Sequence, residues 1–340
     1  MKKKHIALGI SGAIGGAIGG AVAVKLLTRP KAVYFEDVAD EIAHSEHSNF
    51  VEVDGMQVHY QEFGDSGNPT MILVHGYTAS TYVWHTVAPK FAADGFHVIA
   101  IDLIGFGFSE KPAWFDYSIA SQARMILRLM NRLGIGKATL VGSSYGGAVS
   151  SWMTLDNPER VEKLVLVGSV INDRPMTHPL MKVISVPALG EAMSPFLIDS
   201  RAFLKFRMQG TLHPSSHHLI TEERIDSIMR PLNAADAHNS LLMTIKNWDA
   251  NRIEEDAALI NQPTLLVWGD SDTVIPVGNG EKLYDKILNS RFVVLKDCGH
   301  IPPEEKPELF IELVMEFCRD SRGHLEAKEG DEMTLEQIES

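Results

Sequence analysis

The sequence predicts an α/β fold, a mostly parallel sheet covered on both faces by helices. Three observations carry that prediction. Largely apolar runs of strand length stand at 138–141, 161–167, 264–269 and 291–295. Amphipathic helical segments alternate with strands along the chain, the pattern of parallel crossover units. The third observation is Gly142-Ser143-Ser144-Tyr145-Gly146, set between an apolar run and a small-residue helical segment. It reads as strand, very tight turn and helix, with a serine at the apex.

The elements follow in chain order. Lys2, Lys3 and Lys4 precede an uncharged, glycine-rich apolar run over 6–24. As a helix rising about 1.5 Å per residue, it just reaches across a bilayer core of about 30 Å. Residues 1–31 therefore read as a membrane anchor or a signal segment, the latter cleaved at Ala21-Val22-Ala23. Lys25, Arg29 and Lys31 disfavour cleavage and export. The expectation is a membrane-anchored protein with its folded part outside the cytoplasm; cleaved export and a cytoplasm-facing domain are the alternatives. Gly12, Gly16 and Gly20 recur every four residues and would let two anchors approach as a homodimer.

Residues 32–49 read as a polar linker with a short helical pattern from Glu36. Residues 50–53, a turn at Asp54-Gly55, and 56–63 form an alternating hairpin. Ser118 caps a helix with Ile119, Ala123, Ile126, Leu127 and Met130 along its apolar stripe, and Gly134 ends it. Over 172–248 the strand–helix alternation stops. Helical patches, prolines and the methionines Met176, Met181, Met193, Met208, Met229 and Met243 take its place. Residues 319–340 read as an acidic, solvated tail.

Composition excludes several classes. A net charge of −13 lacks the basic face that nucleic acid requires. Beyond solubility, it implies a mild repulsion of anionic substrates. Cys298 and Cys318 read as free thiols, with a single disulfide left open. His213, His217 and His218 lack the accompanying carboxylates or cysteines of a metal site, and no metal is expected. Gly105-Phe106-Gly107 lacks the third glycine and helix start of a dinucleotide fingerprint, and no cofactor is expected.

The apex serine is Ser144. Glycine two residues to either side, at Gly142 and Gly146, leaves room where a Cβ would collide with neighbouring backbone. Ser143 cannot take the role, because its flanks would be Val141 and Tyr145. Partners follow downstream. The run 264–269 leads into Asp270 and Asp272, and the run 291–295 leads into Cys298-Gly299-His300-Ile301-Pro302. Serine, then acid, then histidine is the order of one triad family and differs from the two protease orders.

On these motifs the sequence resembles the α/β-hydrolase superfamily, in its serine-nucleophile branch, over roughly 50–318. Residues 71–77, with His75-Gly76-Tyr77, look like the family's strand and His-Gly oxyanion loop. Residues 98–109 look like its next strand and Gly-x-Gly-x-Ser loop. The resemblance implies an eight-stranded sheet, a core at 50–171 and 249–318, and a helical cap at 172–248. It assigns Ser144 as nucleophile, His300 as base and Asp272 as acid, with Asp270 organising the turn and Asp173 the alternative acid. Backbone N–H groups of Tyr77 and Tyr145 would form the oxyanion hole. His75 and Gly76 would support that loop, and Asp102 and Ser109 would shape the glycine loop.

Relatives that open epoxides or displace halide carry aspartate at the apex, so Ser144 points to acyl-enzyme chemistry. The expectation is hydrolysis of carboxylic esters with apolar, modest-sized groups. The alternative enzyme reading is a carbon–carbon hydrolase of ring-cleavage dienoates. Those relatives carry Gly-Pro-Gly just after the oxyanion glycine, where this chain has Tyr77-Thr78-Ala79-Ser80. Aminopeptidase relatives carry tryptophan at the position of Tyr145. A non-catalytic, ligand-binding use of the fold is the third reading, and amide, lactone and perhydrolysis chemistry stay open.

Overall fold

The computed structural model describes residues 32–319, apart from 178, 187–188, 191–192, 194–197 and 235. One eight-stranded sheet organises them. Its strands are β1 (Ser48–Val53), β2 (Met56–Phe63), β3 (Thr70–Val74), β4 (His97–Ile101), β5 (Ala138–Ser143), β6 (Val161–Val167), β7 (Thr264–Gly269) and β8 (Ser290–Leu295). They lie in the order β1-β2-β4-β3-β5-β6-β7-β8. β2 is antiparallel to both β1 and β4, and every other pair is parallel.

The central strands are buried on both faces, and β3, β4, β5 and β7 are accordingly apolar over nearly their whole length. Ile72, Val74, Leu140, Leu164, Leu166 and Trp268 pack on one side, with α2 (Ile119–Arg132) and α3 (Tyr145–Asp156). Met71, Leu73, Val141, Val165 and Val267 pack on the other, with α1 (Ala88–Ala93) and the C-terminal helix Pro307–Arg319. The helix expected after Ser118 forms as α2. Its cap accepts a hydrogen bond from Ser121 N at 3.2 Å, and Gly134 takes the left-handed backbone (φ +72°) that ends it.

Between β6 and β7 no strand intervenes among the described residues. Helices α4 (Pro179–Ile184), α5 (Arg201–Thr211), α6 (Glu222–Leu232) and α7 (Ala237–Lys246) form the segment expected as a cap. Leu204, Met208, Leu212, Ile225 and Met229 make a small core of their own there. The chain returns through α8 (Asn251–Asp256), and α9 (Gly278–Lys286) joins β7 to β8.

The segment 32–49, expected as a linker, lies against the body. Phe35 meets the rings of Phe50, His59 and Phe108, and Gln61 Nε2 donates to Ala43 O at 2.7 Å. Val33 N donates to Asn233 O at 3.1 Å, tying this segment to the end of α6. Cys298 and Cys318 are free thiols.

The expected membrane placement is corrected. Among the described residues no helix is long and apolar enough to cross a membrane. Their helices are short or carry apolar residues along one stripe that packs on the sheet or within the cap. The anchor, its glycine spacing and the homodimer expectation fall on 1–31, and most of the tail on 320–340, outside the described residues.

Leu140 sits fully buried in β5, paired with Ile72 and Leu164 of the flanking strands. Leu140→Ala should lower the unfolding free energy by about 2–5 kcal/mol. Urea denaturation of the two proteins measures it.

Candidate active site

Ser144 stands between β5 and α3 with φ 52° and ψ −116°, a backbone conformation that L-residues rarely adopt. The surrounding chain holds it there. Ser144 N donates to Val167 O at 2.8 Å, and Ser144 O accepts from Gly147 N at 3.0 Å and Val170 N at 3.1 Å. The flanking glycines have the predicted reason. A Cβ on Gly146 would lie 2.2 Å from Val74 O, and one on Gly142 would lie 2.5 Å from Gly146 O.

His300 and Asp272 meet on the far side of Gly168. His300 Nδ1 donates to Asp272 Oδ2 at 2.7 Å, which leaves Nε2 as the ring's acceptor. The other carboxylate oxygen accepts from Val274 N at 2.9 Å and Ile275 N at 2.8 Å, fixing the acid's orientation. A Cβ on Gly168 would sit 3.0 Å from Asp272 Oδ2 and 3.1 Å from His300 Nδ1. The chain just after β6 thus runs between nucleophile and acid–base pair. Sequence reasoning missed Gly168, although a glycine directly after a strand was a visible signal.

The competing acids are engaged elsewhere. Asp270 accepts from Asp297 N at 3.1 Å and Cys298 N at 3.3 Å, organising the turn. Asp173 accepts from Ala250 N at 2.7 Å and Asn251 Nδ2 at 2.5 Å at the start of α8.

Gly76 brings the loop after β3 against the nucleophile: a Cβ there would lie 3.2 Å from Ser144 Cβ. The Tyr77 and Tyr145 N–H groups, expected as oxyanion donors, have no acceptor among the described residues. His75 is fully buried. Its Nε2 accepts from Leu103 N at 3.1 Å, so Nδ1 carries the proton and donates to Gly76 O at 2.8 Å. Burial pushes its pKa down, which keeps the ring neutral and makes it a brace.

Ser144 and His300 line one cavity of about 980 Å³ with Tyr77, Trp248 and residues of α4–α7. Met176, Met181 and Met208 face it, whereas Met229 packs within the cap and Met243 against the main core. Ser144 Oγ and His300 Nε2 are not hydrogen-bonded to each other among the described residues. Such contacts tighten when substrate arrives, so what the site offers is a hydroxyl and an imidazole facing one space.

Residues 69–307 match the model of the alpha/beta hydrolase fold family. The chain belongs to that family. It is 31% identical to the uncharacterized hydrolase YugF of Bacillus subtilis (strain 168), across 78% of this chain and 96% of that protein. It is 29% identical to a 2-hydroxy-6-oxononadienedioate/2-hydroxy-6-oxononatrienedioate hydrolase of Burkholderia vietnamiensis, across 82% and 97%. Among solved structures, a membrane phospholipase A described as a bacterial virulence factor superposes with a TM-score of 0.66. It is 23% identical, and the match covers 94% of this chain and 98% of that one. At that identity the likeness shows the fold alone.

In this alpha/beta hydrolase the loops that carry Asp272 and His300 are also tied to the cap, by residues that sequence reasoning missed. His300 N donates to Thr211 O at 2.9 Å, and Thr273 Oγ1 donates to Gly210 O at 2.5 Å. Glu305 gathers His213 N at 2.8 Å, Gly299 N at 3.0 Å and Ile301 N at 3.0 Å. A carboxylate five residues after His300 was the available signal; its cap partner was not visible. His213, His217 and His218 each take a separate partner, at Ser215 Oγ, Gln209 O and Ser215 O. Among the described residues no group of metal-binding side chains forms.

Behind the oxyanion loop, Asp102 is buried and accepts from His59 Nδ1 at 2.6 Å, Thr81 N at 2.7 Å and Phe108 N at 2.9 Å. Burial works against its charge, but the attraction and hydrogen bond of His59, with help from His75 and the Phe108 N–H, outweigh it. The carboxyl is held down at about 2. Ser109 Oγ donates to Asp102 O at 2.6 Å and accepts from His59 N at 2.8 Å, shaping the glycine loop as expected.

Two outcomes follow from this packing. Gly146→Ala forces a Cβ onto the Val74 carbonyl and should cost at least about 1–3 kcal/mol together with most turnover; calorimetric melting and an ester assay read the two losses. For Asp102 the folded-state pKa lies below the unfolded one. Its stabilisation is therefore complete above about pH 4 and is lost as pH falls toward about 2. Asp102→Asn should remove that component from a stability-against-pH curve and lower stability at pH 7.

Proposed function

We propose that this alpha/beta hydrolase is a serine hydrolase that cleaves carboxylic esters of apolar, modest-sized substrates through an acyl-enzyme on Ser144. The observation that carries the reading is the 2.7 Å His300–Asp272 pair opening onto the cavity that also holds the strained Ser144. Ser144 Oγ attacks the ester carbonyl while His300 Nε2 takes its proton. Asp272 keeps Nδ1 protonated and stabilises the imidazolium that forms. The N–H groups of Tyr77 and Tyr145 receive the charge that develops on the carbonyl oxygen. His300 returns the proton to the departing alkoxide, and water, activated by the same ring, then hydrolyses the acyl-enzyme. The lining by Met176, Met181, Met208, Leu241 and Leu242 favours apolar groups, which methionine accommodates by changing shape.

The carbon–carbon hydrolase reading is favoured by the dienedioate-hydrolase name of a 29% identical relative. The absence of Gly-Pro-Gly after Gly76 speaks for the ester reading.

Ser144→Ala should abolish turnover of p-nitrophenyl butyrate with the fold retained. Asp272→Asn should reduce kcat by about 10⁴, through the wrong histidine tautomer. A fluorophosphonate probe should label the parent protein and leave the Ser144→Ala variant unlabelled. A ring-cleavage dienoate turned over orders of magnitude faster than the butyrate would replace the ester reading with the carbon–carbon one.

A further inference from the structure

The chain's acidity argues against anionic substrates, but the cavity does not share that acidity. With a net charge of −13 overall, the protein lines its cavity with Arg174, Arg207, Arg224 and Lys282 against one carboxylate, Glu304, among the described residues. Two of these cations are already matched. Arg224 lies 2.9 Å from Glu304, and Lys282 lies 3.0 Å from Glu254. Arg174 and Arg207 have no ion-pair partner among the described residues. Arg207 donates from its guanidinium to Thr78 Oγ1 at 3.0 Å. It stands exposed on α5 at the cavity wall, among Leu204, Met208 and Thr211.

Its position relative to the chemistry follows from the chain. Thr78 is two residues beyond Gly76, which packs against Ser144. Summed along the chain, these contacts keep the Arg207 guanidinium within about 15–20 Å of the Ser144 hydroxyl. A guanidinium with a free edge presents parallel N–H donors that match a carboxylate or phosphate.

We infer that the substrate of this site is an ester carrying an anionic group, a carboxylate or a phosphate-like oxyanion, bound by Arg207 a few methylenes from the scissile carbonyl. This rests on the ester reading above. Arg207 is then the residue that sets specificity, by reading charge at a fixed distance from Ser144.

The test compares three esters of similar length: p-nitrophenyl pentanoate, mono-(p-nitrophenyl) glutarate and p-nitrophenyl 4-phosphonobutanoate. Calorimetric binding to the full-length Ser144→Ala protein needs no turnover. At least one anionic ester should bind ten-fold or more tighter than the pentanoate, and the better of the two identifies the oxyanion. Arg207→Gln in that background should erase the preference and leave pentanoate binding within two-fold, while Thr78→Val should keep it. Equal binding of all three esters overturns the inference. So does an Arg207→Gln variant that weakens neutral and anionic esters alike, which would make Arg207 a brace for the oxyanion loop. Turnover of the pentanoate by the parent protein reads the ester reading separately. If that turnover is absent while the anionic preference persists, the ester reading falls and the anion site stands.

Discussion

One strained backbone position underlies the whole candidate active site. Ser144 occupies a conformation that costs of the order of 1–3 kcal/mol for a residue with a side chain. It persists because the neighbouring backbone leaves it no alternative. Its amide is bound by β6, its carbonyl is bound by Gly147 and Val170, and the glycines on either side let β3, β5 and α3 close to contact. The reward is positional. A serine in ordinary strand or helix geometry would point into the core or along the sheet, whereas this one stands clear of β5 at the start of a helix. Its hydroxyl therefore faces the cavity, and the N–H groups of the first helical turn lie beside it.

His300 is positioned by different means. His300 carries no strain of its own; its position is set by what holds its neighbours. Glu305 gathers the N–H groups on both sides of it, the α5 terminus accepts its own N–H, and Asp272 holds its ring. Because Thr211, Gly210 and His213 belong to the cap side of these contacts, cap and catalytic loops share one hydrogen-bonded seam. Substrate pocket and proton-transfer geometry are consequently coupled, since displacing α5 displaces the hydrogen bonds that hold His300. Beneath the oxyanion loop, the buried Asp102 serves the same purpose through His59 and Thr81.

Charge is distributed by location. Most acidic side chains among the described residues are exposed or half-buried, while the cavity wall carries cations, two of which are neutralised by adjacent carboxylates. A net charge describes the field far from a protein, whereas a ligand in a pocket meets the groups within a few ångströms. Composition therefore points one way for anionic ligands and local geometry the other.

The fold and the side chains of the candidate site were legible in the sequence because both obey local rules. Buried parallel strands must be apolar on both faces, so the runs at 138–141, 161–167 and 264–269 declared themselves. The turn at Ser144 requires glycine at 142 and 146 for steric reasons that do not depend on the rest of the chain. Asp272 and His300 each follow a strand of that sheet, so their chain order carried information about their meeting place. Gly168, Glu305, Thr211 and Arg207 were not legible, because their roles arise from contacts between segments far apart in the chain. No spacing within the sequence tells Arg207 that it will lie over Thr78, or Glu305 that it will hold His213. The sequence by itself thus determined the sheet, the elbow and the pairing of Asp272 with His300, through periodicity and steric necessity. Only the tertiary structure decided which side chains brace that pair and which charge faces the substrate, because those depend on how the cap folds back over the sheet.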